Sequence, residues 1–279
     1  MIVTAKIDQV REMRWSDPSL SWGLVPTMGY LHVGHLSLVR RARSENDRLA
    51  VSIFVNPSQF APDEDLAQYP RDVERDLQLL WAEQVDLVFA PASADMYPPG
   101  FRTQVSVSEL TSGLEGASRP THFQGVTTVV AKLFNIFEPT RVYFGQKDAQ
   151  QAVVIRRMAQ DLDFNLEVVV CPIVREGDGL AMSSRNARLS TQQREAAGIL
   201  YRALRNAEAQ LLAGERDGDK LRVSMTNTIQ DQPLAGLDYA SVADPETLEE
   251  LDLVEKRAML SLAVSFGDVR LIDNLVVEL

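Results

Sequence analysis

Short apolar, β-branched or aromatic runs alternate with longer stretches of helical spacing over roughly the first 170 residues. The runs Trp22–Pro26, Leu49–Val55, Asp86–Ala90, Arg141–Phe144 and Leu166–Val170 predict strands. Helices are expected to begin near Gly34, Arg71, Phe123 and Asp148; in the third, Phe123, Val126, Val130, Leu133 and Phe137 form one apolar stripe. Such alternation predicts an α/β fold with a doubly wound parallel sheet, in which ligands bind beyond the carboxyl ends of the strands. After about residue 175 the pattern changes. A long helix from Thr191 to about Ala213 and a second from about Asp219 to Ile229 precede strand-like runs at Leu237–Val242, Ala258–Val264 and Val269–Ile272. Helices followed by strands predict a smaller C-terminal α+β domain, with the glycine- and charge-rich Arg175–Gly179 as a hinge.

Composition narrows the function classes. No segment of the 279 residues approaches the roughly 18 uncharged apolar residues that span a bilayer. The first fifteen residues lack a basic region followed by an apolar run, so no signal peptide is expected. The single cysteine, Cys171, excludes an internal disulfide and suits a reducing compartment. A cytoplasmic protein with no membrane partner is expected. The net charge of −11 argues against a nucleic-acid partner, and the Arg40, Arg41, Arg43 cluster is expected to be a solvated helix face.

Two stretches carry candidate chemistry. In Pro26-Thr-Met-Gly-Tyr-Leu-His32-Val-Gly-His35, a strand turns into a helix: Gly29 allows a tight turn and Gly34 leaves room for a ligand. The first amides of that helix are expected to be unpaired and to favour a phosphate, and two imidazoles there can donate to phosphoryl oxygens. Zinc is disfavoured, because three His and one Cys supply no four-ligand spacing. The second stretch, Met182-Ser183-Ser184-Arg185-Asn186, reads as a mobile loop with two hydroxyls and a guanidinium suited to a polyphosphate.

His-x-Gly-His followed by a Ser-and-Arg loop resembles the adenylate-forming nucleotidyltransferase superfamily. Four further stretches, Phe54–Phe60, Arg119–Gly125, Phe144–Asp148 and Asp178–Asn186, together with Pro-Thr-Met-Gly, resemble the pantothenate synthetase (pantoate–β-alanine ligase) family over nearly the whole chain. The resemblance implies a Rossmann-like ATP- and pantoate-binding domain at 1–175, a lid domain at 176–279 and a homodimer; the hinge and the Met182–Asn186 loop suggest that the second domain closes over ATP. It implies a pantoyl-adenylate route to pantothenate. His32, His35, Lys147, Ser183, Ser184 and Arg185 would serve the ATP phosphates. Met28, Gly34, Gly145, Asp148, Val174 and Met182 would complete the ATP site, with Asp148 on the ribose. Gln59 and Gln151 would hold pantoate between Met28 and Phe60, and Lys147 and Gln151 would share a helix face if both are helical. Mg2+ is implied by the polyphosphate, without protein ligands that the sequence names.

Arg119 is balanced between a salt bridge at the helix entry and a substrate role, and His122 between starting that helix and touching substrate. Three positions depart from the family pattern: Ser58 for methionine, Thr121 for glycine and Gln146 for glutamate. Ser58 is expected to loosen the pantoate pocket, and Gln146 removes a negative charge beside Lys147. Other readings stay open: another His-x-Gly-His nucleotidyltransferase of cofactor biosynthesis, a nucleic-acid-binding synthetase fragment, and a nucleotide-binding protein without activity.

Overall fold

The computed structural model describes residues 1–61 and 64–279, which form two compact units: Met1–Gly145 with Gln151–Pro172, and Gln146–Gln150 with Ile173–Leu279. In the first unit six strands make one parallel sheet: β1 (Ile2–Thr4), β2 (Trp22–Thr27), β3 (Arg48–Ile53), β4 (Leu87–Phe89), β5 (Arg141–Gly145) and β6 (Glu167–Cys171), in the order β1-β4-β3-β2-β5-β6. The chain runs outward from β2 through β3 to β4, then returns to β2's other side with β5. That reversal puts a crevice at the carboxyl ends of β2 and β5.

The strands are apolar throughout because both faces are covered. With side chains alternating, Trp22, Leu24, Ala50, Leu87, Phe89, Val142 and Phe144 enter one cluster and Val25, Leu49, Val51, Val88 and Tyr143 the other. The first cluster takes α1 (Ile7–Trp15), α6 (His122–Phe137) and α7 (Ala149–Asp161); the second takes α2 (Val33–Glu45) and α3 (Val73–Ala82). Two single-turn helices, α4 (Ser93–Met96) and α5 (Glu115–Ser118), lie between β4 and α6 in the chain. The five expected parallel strands and four helices are present; β1, α1 and the two single-turn helices are additional. The arginine cluster on α2 is a solvated face, with Arg40, Arg41 and Arg43 paired to Glu83, Glu45 and Asp86.

The second unit packs α8 (Thr191–Ala197), α9 (Ile199–Leu212) and α10 (Gly218–Gln230) on an antiparallel sheet of β7 (Gly236–Ala243), β8 (Arg257–Phe266) and β9 (Val269–Glu278). Three expectations are corrected here. The long helix is two helices that break at Gly198, the residue least able to hold a helix interior short of proline. The last strand does not stop at Ile272 but runs through the buried Asp273 and Asn274 to Glu278. The stretch Arg175–Gly179 is the tip of a closed hairpin within this unit rather than an open hinge. Its backbone bonds join Met182 N to Val174 O (3.0 Å) and Glu176 N to Leu180 O (2.8 Å), and Arg194 pairs with both Glu176 and Asp178.

Candidate active site

At the end of β2 the chain reverses through two residues of positive φ, Gly29 (81°) and Tyr30 (49°). A tyrosine in that region is strained. The strain is offset by Asp76, a fully buried carboxylate on α3 that accepts the amides of Tyr30 (2.6 Å) and Leu31 (2.7 Å). Burial raises the Asp76 pKa, against those two amides, which favour the ionised form. Asp76 thus fixes the turn that delivers His32 to the start of α2, a role the sequence reading missed.

The two histidines cap their own helix. Gly34 N–H donates to His32 Nδ1 (3.1 Å), and His32 N–H donates to His35 Nδ1 (3.3 Å), with ring centroids 4.0 Å apart. The expectation of unpaired leading amides is therefore corrected at Gly34, whose N–H is taken by a ring. Because each Nδ1 accepts, a neutral ring carries its proton on Nε2, and both imidazoles are set up as Nε2–H donors.

Gln59 is buried in the 3₁₀ turn Pro57–Gln59 after β3 and is held at both ends of its amide. Asn56 Nδ2 donates to its Oε1 (3.1 Å), and its Nε2 points at Met28 Sδ (3.1 Å). Met28 and Gln59 are thus brought together, with Phe60 next in the chain and edge-on to Tyr69. Ser58 ties down this turn: its hydroxyl donates to Asn56 Oδ1 (2.8 Å) and lies 3.1 Å from Tyr97 Oη. Asn56, nearly inaccessible and bonded to Ser58, Gln59, Tyr97 and Gly125, is a second residue the sequence reading did not single out.

Arg119 and His122 both have structural partners. Arg119 makes a two-pronged pair with Glu64 (2.7 and 2.5 Å) and also donates to Gln59 O (3.3 Å). His122 begins α6 with Nδ1 2.9 Å from the same carbonyl, so that nitrogen donates. Burial, with help from the Arg119 charge, pushes the His122 pKa down to about 4. Its folded-state pKa lies below the unfolded value, so its stabilising contribution is complete above about pH 6.5 and is lost as pH falls toward 4. At about 1.4 kcal/mol per pKa unit, the loss reaches roughly 3 kcal/mol. Denaturant unfolding from pH 7 to 4 is expected to show it, and His122→Asn, which keeps a donor for Gln59 O without the titration, to flatten it. An unchanged acid limb in that variant would rule the assignment out.

The remaining candidates are placed as follows. Gly145 ends β5, and Lys147 and Asp148 follow in the 3₁₀ turn Gln146–Asp148, with Lys147 Nζ 3.3 Å from Asp148 Oδ1. Lys147 lies in that 3₁₀ turn and Gln151 in the α-helix that follows it in the chain. In the second unit Val174 and Met182 are joined by the hairpin bond already given. Ser183 caps the 3₁₀ turn Ser184–Arg188 by accepting from Arg185 N (3.2 Å), and Ser184 is buried. Among the described residues no group of three or more His, Cys, Asp or Glu is placed to hold a metal ion, and no helix is long and apolar enough to cross a membrane.

The chain as a whole is similar to known proteins. Residues 2–276 match the family model described as pantoate-β-alanine ligase. The pantothenate synthetase of a Roseiflexus species is 60% identical over 274 residues, 98% of this chain and 99% of that protein; that of Roseiflexus castenholzii is 62% identical over 256 residues, 92% of each. The crystal structure of pantothenate synthetase from Thermus thermophilus superposes with a TM-score of 0.94 at 47% identity, covering 99% of both chains. That of pantoate-β-alanine ligase from Francisella tularensis, complexed with β-γ ATP and β-alanine, gives 0.81 at 37% identity over 99% and 97%. With the histidine-capped turn and the clamped glutamine falling inside a match that runs almost end to end, the chain belongs to the pantoate–β-alanine ligase family.

Proposed function

We propose that this chain is a ligase that condenses pantoate with β-alanine, using ATP and passing through pantoyl adenylate. The pantoate carboxylate attacks the α-phosphorus; an oxygen–phosphorus bond forms as the bond to pyrophosphate breaks. The β-alanine amine then attacks the acyl carbon, its proton leaves, and AMP departs as the amide forms. No side chain need act as nucleophile, so catalysis rests on positioning and on stabilising charge at the phosphates.

The observation that carries this reading is the amide of Gln59. It is buried and oriented by Asn56, yet among the described residues its N–H groups meet the weak acceptor Met28 Sδ. Such a donor gains by exchanging sulfur for an oxygen, and pantoate offers hydroxyls and a carboxylate, with its dimethyl carbon suited to Met28 and Phe60. Gln151 is the second pantoate residue in this proposal. The Nε2–H groups of His32 and His35 donate to phosphoryl oxygens, and Lys147, Ser183, Ser184 and Arg185 follow the charge as pyrophosphate leaves. Gly34, Gly145, Asp148, Val174 and Met182 take the remaining contacts to ATP. Mg2+ fits as an ion carried by phosphate oxygens, since no preassembled carboxylate cage stands among the described residues; when bound it would shield the polyphosphate charge. A cytoplasmic homodimer completes the proposal on the strength of the family resemblance, and light scattering tests the dimer.

The test is product formation. Pyrophosphate is expected only when pantoate is present with ATP, and pantothenate and AMP once β-alanine is added. Pyrophosphate release driven by nicotinamide mononucleotide or phosphopantetheine instead would move the chain to another nucleotidyltransferase activity.

A further inference from the structure

Two adjacent polar residues lie buried in the middle of β9. Asp273 and Asn274 are 1% and 3% exposed, paired in register with Leu262 and Ser261 of β8. Successive side chains of a strand point to opposite faces, and each of these reaches a different segment. On one face Asp273 binds Arg175 through two bonds, 2.6 Å to Nη1 and 3.0 Å to Nη2; Arg175 also donates to Gly179 O (3.0 Å) and Asn274 O (3.2 Å) and stacks on Tyr201 at 4.1 Å. Burial raises the Asp273 pKa against the pull of the Arg175 charge and bonds, and this two-pronged pair ties β9 to the hairpin that leads into Ser183–Arg185. On the other face Asn274 Nδ2 donates to Gln146 O (3.0 Å) and Lys147 O (2.9 Å), while Gln146 Nε2 donates back to Asn274 Oδ1 (3.0 Å). Three hydrogen bonds therefore fasten the turn that carries Lys147. The return bond needs an amide: an ionised glutamate at position 146 has no N–H to give.

We propose that Asn274 is a positioning residue of the nucleotide site, clasping the Gln146–Asp148 turn so that Lys147 meets the ATP phosphates. The inference rests on the proposed role of Lys147. Misplacing a charge-stabilising group by about 1 Å costs on the order of 100-fold in rate. Asn274→Ala is expected to slow pantoate-dependent pyrophosphate release roughly 10- to 100-fold and to weaken ATP binding by titration calorimetry about tenfold, with the pantoate KM within about twofold of wild type. A residue acting through Lys147 adds little once Lys147 is gone, so in a Lys147→Ala background Asn274→Ala is expected to change the rate by less than about threefold. A multiplicative loss there, or a folded Asn274→Ala with near wild-type rate and ATP affinity, overturns the inference. If Asn274→Ala does not fold, Gln146→Met cuts the clasp from its partly exposed side; a rate within about twofold of wild type then overturns it, and a roughly fivefold loss absent in the Lys147→Ala background supports it. A wild-type protein that binds ATP but releases no pyrophosphate with pantoate would refute the proposed function alone, and the ratio of ATP affinities would still decide the role of Asn274.

Discussion

Replacing Lys147 or His35 by alanine is expected to lower kcat for pantoate-dependent pyrophosphate release by roughly 10²–10³, the usual cost of losing one donor aimed at developing charge. The two losses differ in origin. Lys147 Nζ is paired with Asp148 Oδ1 at 3.3 Å in a partly exposed turn, so its removal takes away charge and little packing. His35 also accepts the His32 amide at the head of α2, and losing such a cap costs about 1 kcal/mol of stability. Two further variants separate cap from catalysis. The Oδ1 of His35→Asn sits where Nδ1 was and keeps the cap, so this variant should melt near wild type and still be slow. The amide nitrogen of His35→Gln reaches toward the Nε2 position without the cap, so it should recover part of the rate and melt lower. Steady-state kinetics alongside thermal unfolding checks both, and losses under tenfold in Lys147→Ala and His35→Ala together would place the phosphates elsewhere.

The parts of this fold legible in the sequence are those where local pattern and tertiary burial agree. Strands β2 to β6 are apolar because both sheet faces are covered, and α6 shows its stripe because that stripe meets the sheet. Residues whose partners are remote in the chain did not show. β1 is three residues long, and α1 buries Val10 together with Arg14, whose Nε donates to Glu138 O, 124 residues away. Asp273 and Asn274 look like the end of a strand until Arg175 and Gln146 are seen to satisfy them. Asp76 left a faint signal, a carboxylate four residues before the buried Leu80 on the inner face of α3, but its reason lies 45 residues earlier at Leu31. For the histidines the sequence offered a phosphate role with capping as the alternative, and the structure shows the caps, with the Gly34 and His32 amides bonded to the rings. Ser58 stood out as a departure from the family pattern, and only its bonds to Asn56 and Tyr97 reveal that it stiffens the turn.

That turn makes Gly125→Ala the other substitution with a large expected effect. A Cβ on Gly125 would lie 2.2 Å from Ser58 O, 2.5 Å from Ser58 C and 2.6 Å from Gln59 Cα. All three are backbone atoms, so no rotamer change makes room; helix α6 and the turn Pro57–Gln59 must separate by roughly 1 Å to reach ordinary contact distance. Separation is resisted where Asn56 Nδ2 donates to Gly125 O (3.1 Å) and where His122 and Arg119 donate to Gln59 O. Alanine is the better helix former by about 1 kcal/mol, but overpacking of this kind costs about 3 kcal/mol, so the variant is expected to be less stable by about 2 kcal/mol. The function should suffer more than the fold. With Gln59 displaced from Met28 and Asn56, the pantoate KM is expected to rise by at least about tenfold while the KM for ATP changes little, because the loss falls on contacts to one substrate. Gly113→Ala, at a glycine whose added Cβ would meet nothing within 4 Å, serves as the control and should leave both constants alone. A Gly125→Ala protein as stable as wild type with an unchanged pantoate KM would mean that the helix does not set the glutamine, and that pantoate is held by other residues.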